Sequence, residues 1–167
     1  LVSNQEKELE EVAQNLKNEY GVNTLSHYAD LSQPDAADLL FAYCKDNGLV
    51  VDVLINNAGV FFFNPYCETS TKRIDLMLNL HMITVAKLCR LFGEEMINRQ
   101  LTEQEQQEKI DGCKRKKGYI LNMSSMTAWM AMPGIQAYNA TKGFVLNFSK
   151  SLWYELRPYG IHVIALT

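Results

Sequence analysis

"GYILNMSSMTAWMAMPGIQAYNATKGFVLNFSKSLWYELRPYGIHVIALT", residues 118–167, reads as strand, helix, strand. "GYILNMSS" is a short apolar run closed by a serine pair, the pattern of a buried strand. A helix follows from about Ala137 to Leu156, with Phe144, Phe148, Leu152 and Leu156 at steps of four. Pro158 and Gly160 end it, and "IHVIALT" is an apolar run typical of another buried strand.

The rest of the chain repeats this alternation. "NQEKELEEVAQNLKNEYG" places Leu9, Val12, Ala13, Leu16 and Tyr20 at helical spacing, with Gly21 as a natural stop. "VNTLSHYADLS" reads as a strand ending at Asp30, and Ser32 is expected to cap a helix that ends near Asn47-Gly48. "LVVDVLINNAG" is a short strand followed by a glycine-bearing turn. Residues 71–98 form a long helix with Ile74, Met77, Leu78, His81, Met82, Val85, Leu88, Cys89, Phe92 and Met96 on one stripe. The polar stretch "RQLTEQEQQEKIDGCKRKKG" reads as a solvated excursion from the helix end. Strands alternating with helices imply an α/β fold, a parallel sheet with helices on both faces.

Composition narrows the function. The 167 residues are 47% hydrophobic and 21% charged, enough for one domain with a real core. A formal net charge of -3 argues against nucleic acid or an anionic membrane as a general partner. Cys44, Cys67, Cys89 and Cys113 are widely spaced without a C-x-x-C pair, so we read them as reduced thiols of a cytoplasmic protein. We expect no bilayer-spanning run and no metal site; His27, His81 and His162 are isolated within periodic elements and read as structural. Leu1 is not an initiator Met and Thr167 closes an apolar run. The expectation is therefore a longer polypeptide, in which an upstream anchor has a place.

Chemistry concentrates in residues 124–142. If Ala137 onwards is helical, Tyr138 and Lys142 lie one turn apart on the same face. A free phenol titrates near ~10, and a neighbouring ammonium favours its anion. A lone Y-x-x-x-K is usually surface decoration, but this one has company. Ser125 lies at the end of a buried strand, "NNAG" (Asn56 to Gly59) ends the preceding one, and Asn79 sits in the intervening helix. In a parallel sheet these strand ends converge on the ligand crevice, so Asp30, Asn57, Ser125 and Tyr138 should all face it. The Ser124-Ser125 pair does not suggest a hydrolase, because G-x-S-x-G is missing. "FFF" (Phe61 to Phe63) follows the turn and reads equally as core or pocket lining.

In this order "ADLS", "INNAG", the Asn of "LMLNLH", the Ser of "ILNMSS" and "YNATK" resemble the short-chain dehydrogenase/reductase family over nearly the whole chain. "LVSNQEKEL" is similar to that family's second strand turning into its next helix. The resemblance implies a partial Rossmann-type doubly wound parallel sheet, since the family's first strand, its Gly-rich pyrophosphate turn and everything after the sixth strand have no counterpart here. It implies hydride transfer between a nicotinamide cofactor and a carbonyl or alcohol. Tyr138 would be the proton donor, Lys142 would lower its cost of ionisation and hold the nicotinamide ribose, and Ser125 would bond the substrate oxygen. Asn79 would anchor a relay water, although the long polar stretch widens the usual spacing between Asn79 and Ser125. Asp30 and Leu31 would flank the adenine, while Asn57, Ala58 and Gly59 would let the cofactor approach the backbone.

Three further expectations follow. At the end of the second strand stands Ser3-Asn4, with neither the acid that pairs with a ribose diol nor an Arg, and we favour NADP(H) over NAD(H). Met126, Trp129, Met130 and Met132 occupy a segment that borders the family's substrate pocket, which suggests a lipophilic or aromatic small-molecule carbonyl. Leu80, Ile83, Leu91, Val145 and Trp153 lie off the core stripes, and the family pairs these helices (71–98 and 137–156) into a homodimer or tetramer. The alternatives are a non-catalytic dinucleotide-binding scaffold, or an epimerase or dehydratase on the same fold.

Overall fold

The computed structural model describes residues 1–107 and 118–167; Cys113 and the basic run Lys114–Lys117 lie outside the described residues. Along the chain come β1 (Val2–Ser3), α1 (Glu6–Tyr20), β2 (His27–Tyr28), α2 (Ala36–Asp46) and β3 (Val53–Asn56). They are followed by α3 (Thr71–Leu78), α4 (Thr84–Gln107), β4 (Gly118–Met123), α5 (Gln136–Leu156) and β5 (Ile161–Leu166). α1 stops where expected: Gly21 takes the left-handed conformation at φ 65° and its N–H caps the Lys17 carbonyl.

All strand pairs among the described residues are parallel. β1 pairs with β2, and β4 lies between β3 and β5, with Asn56 opposite Asn122 and Asn122 opposite Ala165. The arrangement is the partial α/β Rossmann fold the alternation implies. Period-two burial sets its core: Leu54, Ile120, Ile161 and Val163 point to one face. There they meet Leu88, Cys89, Phe92 and Met96 of α4, Leu156 of α5, and Ala37, Leu40 and Cys44 of α2. Val53, Ile55 and Ile164 on the opposite face are exposed, and Tyr119 stacks on its cross-strand partner His162 at 5.3 Å. Arg99 ties α4 to the approach of β3 through Asp52 and the Val51 carbonyl, both at 2.6 Å.

A buried polar chain pins the strands to α5. The Asn56 amide donates to Asn122 Oδ1 at 2.8 Å, Asn122 Nδ2 donates to Ser149 Oγ at 2.9 Å, and Ser149 Oγ donates to the Val145 carbonyl at 2.7 Å. Cys89 lies against both asparagines, and burial pushes its thiol up to about 12. Because each unpaired buried amide is costly, this chain tolerates only one register of β3, β4 and α5.

The structure departs from the sequence reading in several places. The second strand is two residues long, and Ser32 caps no helix: its hydroxyl donates to Asp30, and α2 starts after Asp35. The long helix continues to Gln107 and is interrupted at Asn79–Ile83 by a π-turn, which inserts one residue into the helical period. Leu80 is therefore buried, and Val145 is core rather than off-stripe; on α5 the deep positions are Val145, Leu146 and Ser149, while Phe144 and Phe148 stack half-buried at 5.4 Å. Among the described residues one apolar run does reach bilayer length, an 18-residue stretch of the helix Thr71–Thr102 with mean hydropathy 1.2. Half of that stretch is buried inside the protein, and core packing accounts for its composition.

Candidate active site

The matched register of β3 and β4 delivers two turns to one level: Asn57–Gly59 leaves β3 as Ser124-Ser125 leaves β4. α5 begins at Gln136, so Tyr138 lies in its first turn and Lys142 one turn on. Two reciprocal bonds lock this helix to the strand end. Lys142 Nζ donates to the Met123 carbonyl at 2.8 Å, and Ser124 Oγ donates to the Lys142 carbonyl at 2.8 Å. Lys142 is only 6% exposed, and burial pulls its ammonium below the usual lysine range. Its Nζ lies 5.5 Å from the centre of the Tyr138 ring, within cation–π reach. One of its three N–H donors serves Met123, leaving two for a ligand hydroxyl or the phenol.

Ser125 is half-buried with an extended backbone, and its Oγ accepts from the Thr127 amide at 3.2 Å and the Thr127 hydroxyl at 3.0 Å. Both bonds use the oxygen as acceptor, so the serine keeps its own proton to donate to a substrate oxygen. Asn79 opens the π-turn, its carbonyl taken by the Thr84 amide five residues on. Two residues later in that turn, His81 packs edge-on to the Tyr138 ring at 5.8 Å. The turn thus brings Asn79's segment to the tyrosine, although Asn79 itself makes no side-chain hydrogen bond to Lys142.

The turns on the cofactor side are held from behind. Asp30 receives Gln33 Nε2 at 2.7 Å, the Ser32 hydroxyl at 2.7 Å and the Ser32 amide at 3.0 Å. Those bonds, Gln33 first, hold its carboxyl below the usual range. The Leu31 carbonyl accepts from Thr84 Oγ1 at 2.8 Å, which fixes this turn to α4. Asn57, Ala58 and Gly59 are exposed. A Cβ at Gly59 would stand 3.1 Å from His81 Nε2, so the backbone there lies flush on the imidazole. An exposed turn that closes on a glycine, beside a buried ammonium with donors to spare, fits a dinucleotide whose ribose and nicotinamide lie along the backbone.

Sequence reasoning missed His81 and Thr141 as site residues and left Phe61 equally core or pocket lining. Phe61 meets the Tyr138 ring edge-on at 5.0 Å, so this part of "FFF" is site wall. Phe62 and Tyr138 line a shallow cleft with Tyr66, Ile74, Met77 and Ile135; Arg73 sits over the Phe62 ring at 4.7 Å. Of these signals only the closeness of "FFF" to the glycine turn was legible in one dimension.

The sequence model of the family described as short chain dehydrogenase matches residues 1–167. A very-long-chain 3-oxoacyl-CoA reductase from Anas platyrhynchos is 32% identical over 98% of this chain and 48% of its own length. Carbonyl reductase [NADPH] 2 from Sus scrofa is 31% identical over 68% of this chain and 40% of its own length. The chain spans about half the length of the curated relatives it matches. Among solved structures, a short-chain dehydrogenase from Sphingobium yanoikuyae in complex with NADPH superposes with a TM-score of 0.83 at 25% identity, covering 99% of this chain and 58% of that one.

Proposed function

The chain belongs to the short-chain dehydrogenase family, and from that premise we propose that its polypeptide reduces a lipophilic carbonyl with NADPH, using Ser125, Tyr138 and Lys142. The observation that carries the reading is the buried Lys142 ammonium, held by Met123 and set 5.5 Å from the Tyr138 ring. A lysine is rarely buried without a task, and this one sits beside a phenol that can act as a general acid.

Asn57, Ala58, Gly59 and Lys142 would hold the NADPH, with Asp30 and Leu31 flanking its adenine, and the hydride would come from that cofactor. Ser125 donates its free proton to the substrate oxygen and fixes its orientation. Tyr138 hands its proton to that oxygen as negative charge develops, and Lys142 stabilises the phenolate left behind. Asn79, at the head of the π-turn, holds the water that returns protons to this pair.

Met126, Trp129, Met130, Met132 and Phe61 are exposed, Phe61 against the Tyr138 ring and the others between Ser125 and α5, and we read them as favouring an apolar substrate. The names of the relatives, an acyl-CoA reductase and an NADPH carbonyl reductase, agree with a reductive role. The same reading pairs two copies through α5 and the helix from Thr71, where Ile83 is exposed and Phe144, Phe148 and Trp153 are half-buried. The decisive assay follows NADPH oxidation by the full-length polypeptide across a ketone series of rising hydrophobicity, with NADH and polyhydroxylated ketones as comparators. Preference for the polyhydroxylated compounds, or for NADH, would overturn this reading of the substrate or cofactor.

A further inference from the structure

His81 is 1% exposed, yet every polar atom of its ring is in use. The Val60 amide donates to Nε2 at 2.9 Å, and Nδ1 lies 3.0 Å from Thr141 Oγ1. A backbone N–H only donates, so Nε2 must present its lone pair and the ring proton must sit on Nδ1. Thr141 Oγ1 accepts that proton and donates its own to the Tyr138 carbonyl at 2.8 Å. The result is a one-way chain from the Asn57–Val60 turn, through the π-turn of the long helix, into the first turn of α5. Burial first, and the Lys142 charge second, hold the imidazole down to about 4, which keeps this chain intact at neutral pH.

We infer that His81 is a positioning residue: it rivets the turn proposed to carry the cofactor to the helix that bears Tyr138 and Lys142, and so sets the distance between hydride and proton donor. The π-turn is what makes this possible. Its extra residue rotates His81 inward to meet both the turn and Thr141, and the flush Gly59 leaves the ring no room to retreat. The role rests on the oxidoreductase reading above, whereas the hydrogen-bond chain can be read without turnover.

The test uses the full-length polypeptide and four variants. Long-range ¹H–¹⁵N spectra at neutral pH should show His81 protonated at Nδ1 and unprotonated at Nε2; the reverse tautomer or an imidazolium would overturn the inference. His81→Gln can still accept from the Val60 amide, because its Oε1 takes the place of Nε2. His81→Asn reaches only Thr141, and His81→Leu reaches neither. NADPH affinity by fluorescence titration should stay near wild type in the Gln variant and weaken by about tenfold or more in the Asn and Leu variants. Thr141→Val should spare affinity and lower kcat, since it frees only the α5 end. Equal losses in all three His81 variants would mean generic core damage, and no loss in any would mean no role; either result overturns the inference. A wild type that binds NADPH but reduces no ketone would instead sink the oxidoreductase reading and leave the tautomer and affinity results to stand on their own.

Discussion

Lys142 spends its burial on two neighbours, the Met123 carbonyl and the Tyr138 ring, and each supports a separate expectation. Tyr138→Phe keeps the ring packing against Phe61 and His81 and removes only the hydroxyl. General acid catalysis is worth roughly 10²- to 10⁴-fold, so kcat should fall by that order while NADPH affinity changes little; steady-state kinetics beside a cofactor titration would check both. Lys142→Met removes the charge and the donors proposed for the ribose together, so kcat and cofactor affinity should drop in concert. It should also melt no lower than wild type by much, because an apolar chain of similar length fills the site without the cost of burying an ammonium. A Tyr138→Phe enzyme with near-normal turnover would remove the assignment altogether.

Between elements, close approach decides more than composition. Gly118 opens β4 where the strand lies directly on α4: a Cβ there would stand 2.9 Å from Met96 Sδ and 3.2 Å from Ile161 Cγ1. Gly118→Ala should therefore destabilise by about 1–3 kcal/mol through overpacking, read as a lower urea midpoint with unchanged slope. Asn122 is fully buried and shared between Asn56 and Ser149. Asn122→Leu matches its size but strips the Asn56 amide of its oxygen partner and leaves it only the weak Cys89 Sγ acceptor, at a cost of about 1–3 kcal/mol for that group alone. Since the same bond aligns the turns after β3 and β4, cofactor affinity should fall with stability, which a titration beside the melt would reveal.

At the scale of the whole molecule, His81 gives the fold an acid limb. Its imidazole titrates at about 4 when folded and near the ordinary 6.5 when unfolded. Between those values the unfolded chain binds the extra proton, so the stability that His81 contributes falls as pH falls through this window, and its own loss levels off below it. The loss accumulates to about 3 kcal/mol. Denaturant midpoints measured from neutral pH down to the acid end of this window should show that slope, reduced in His81→Gln, where position 81 no longer titrates. Assembly is the other global expectation. If α5 and the long helix pair across a two-fold axis, light scattering of the full-length polypeptide at micromolar concentration should give at least a dimeric mass, and Ile83→Glu should shift it toward monomer. A monomeric wild type would end that proposal.

By itself the sequence determined the order and type of the main elements, the convergence of "NNAG", Ser125 and the Tyr138–Lys142 pair, and the family. These are short-range properties: hydrophobic period, chain breakers such as Gly21 and Pro158, and two residues four apart on a helix are written in the local backbone geometry. Tertiary structure alone decided that the long helix carries a π-turn at Asn79–Ile83, that Val145 and Leu80 belong to the core, that Ser32 serves Asp30 rather than a helix, and that His81 reaches Val60 and Thr141. A one-residue change of helical phase leaves almost no trace in an apolar pattern, but it rotates every later side chain by a large fraction of a turn. Contacts across 21 and 60 residues of sequence, such as those of His81, are set by how helices seat against the strand ends, where close packing admits a single register.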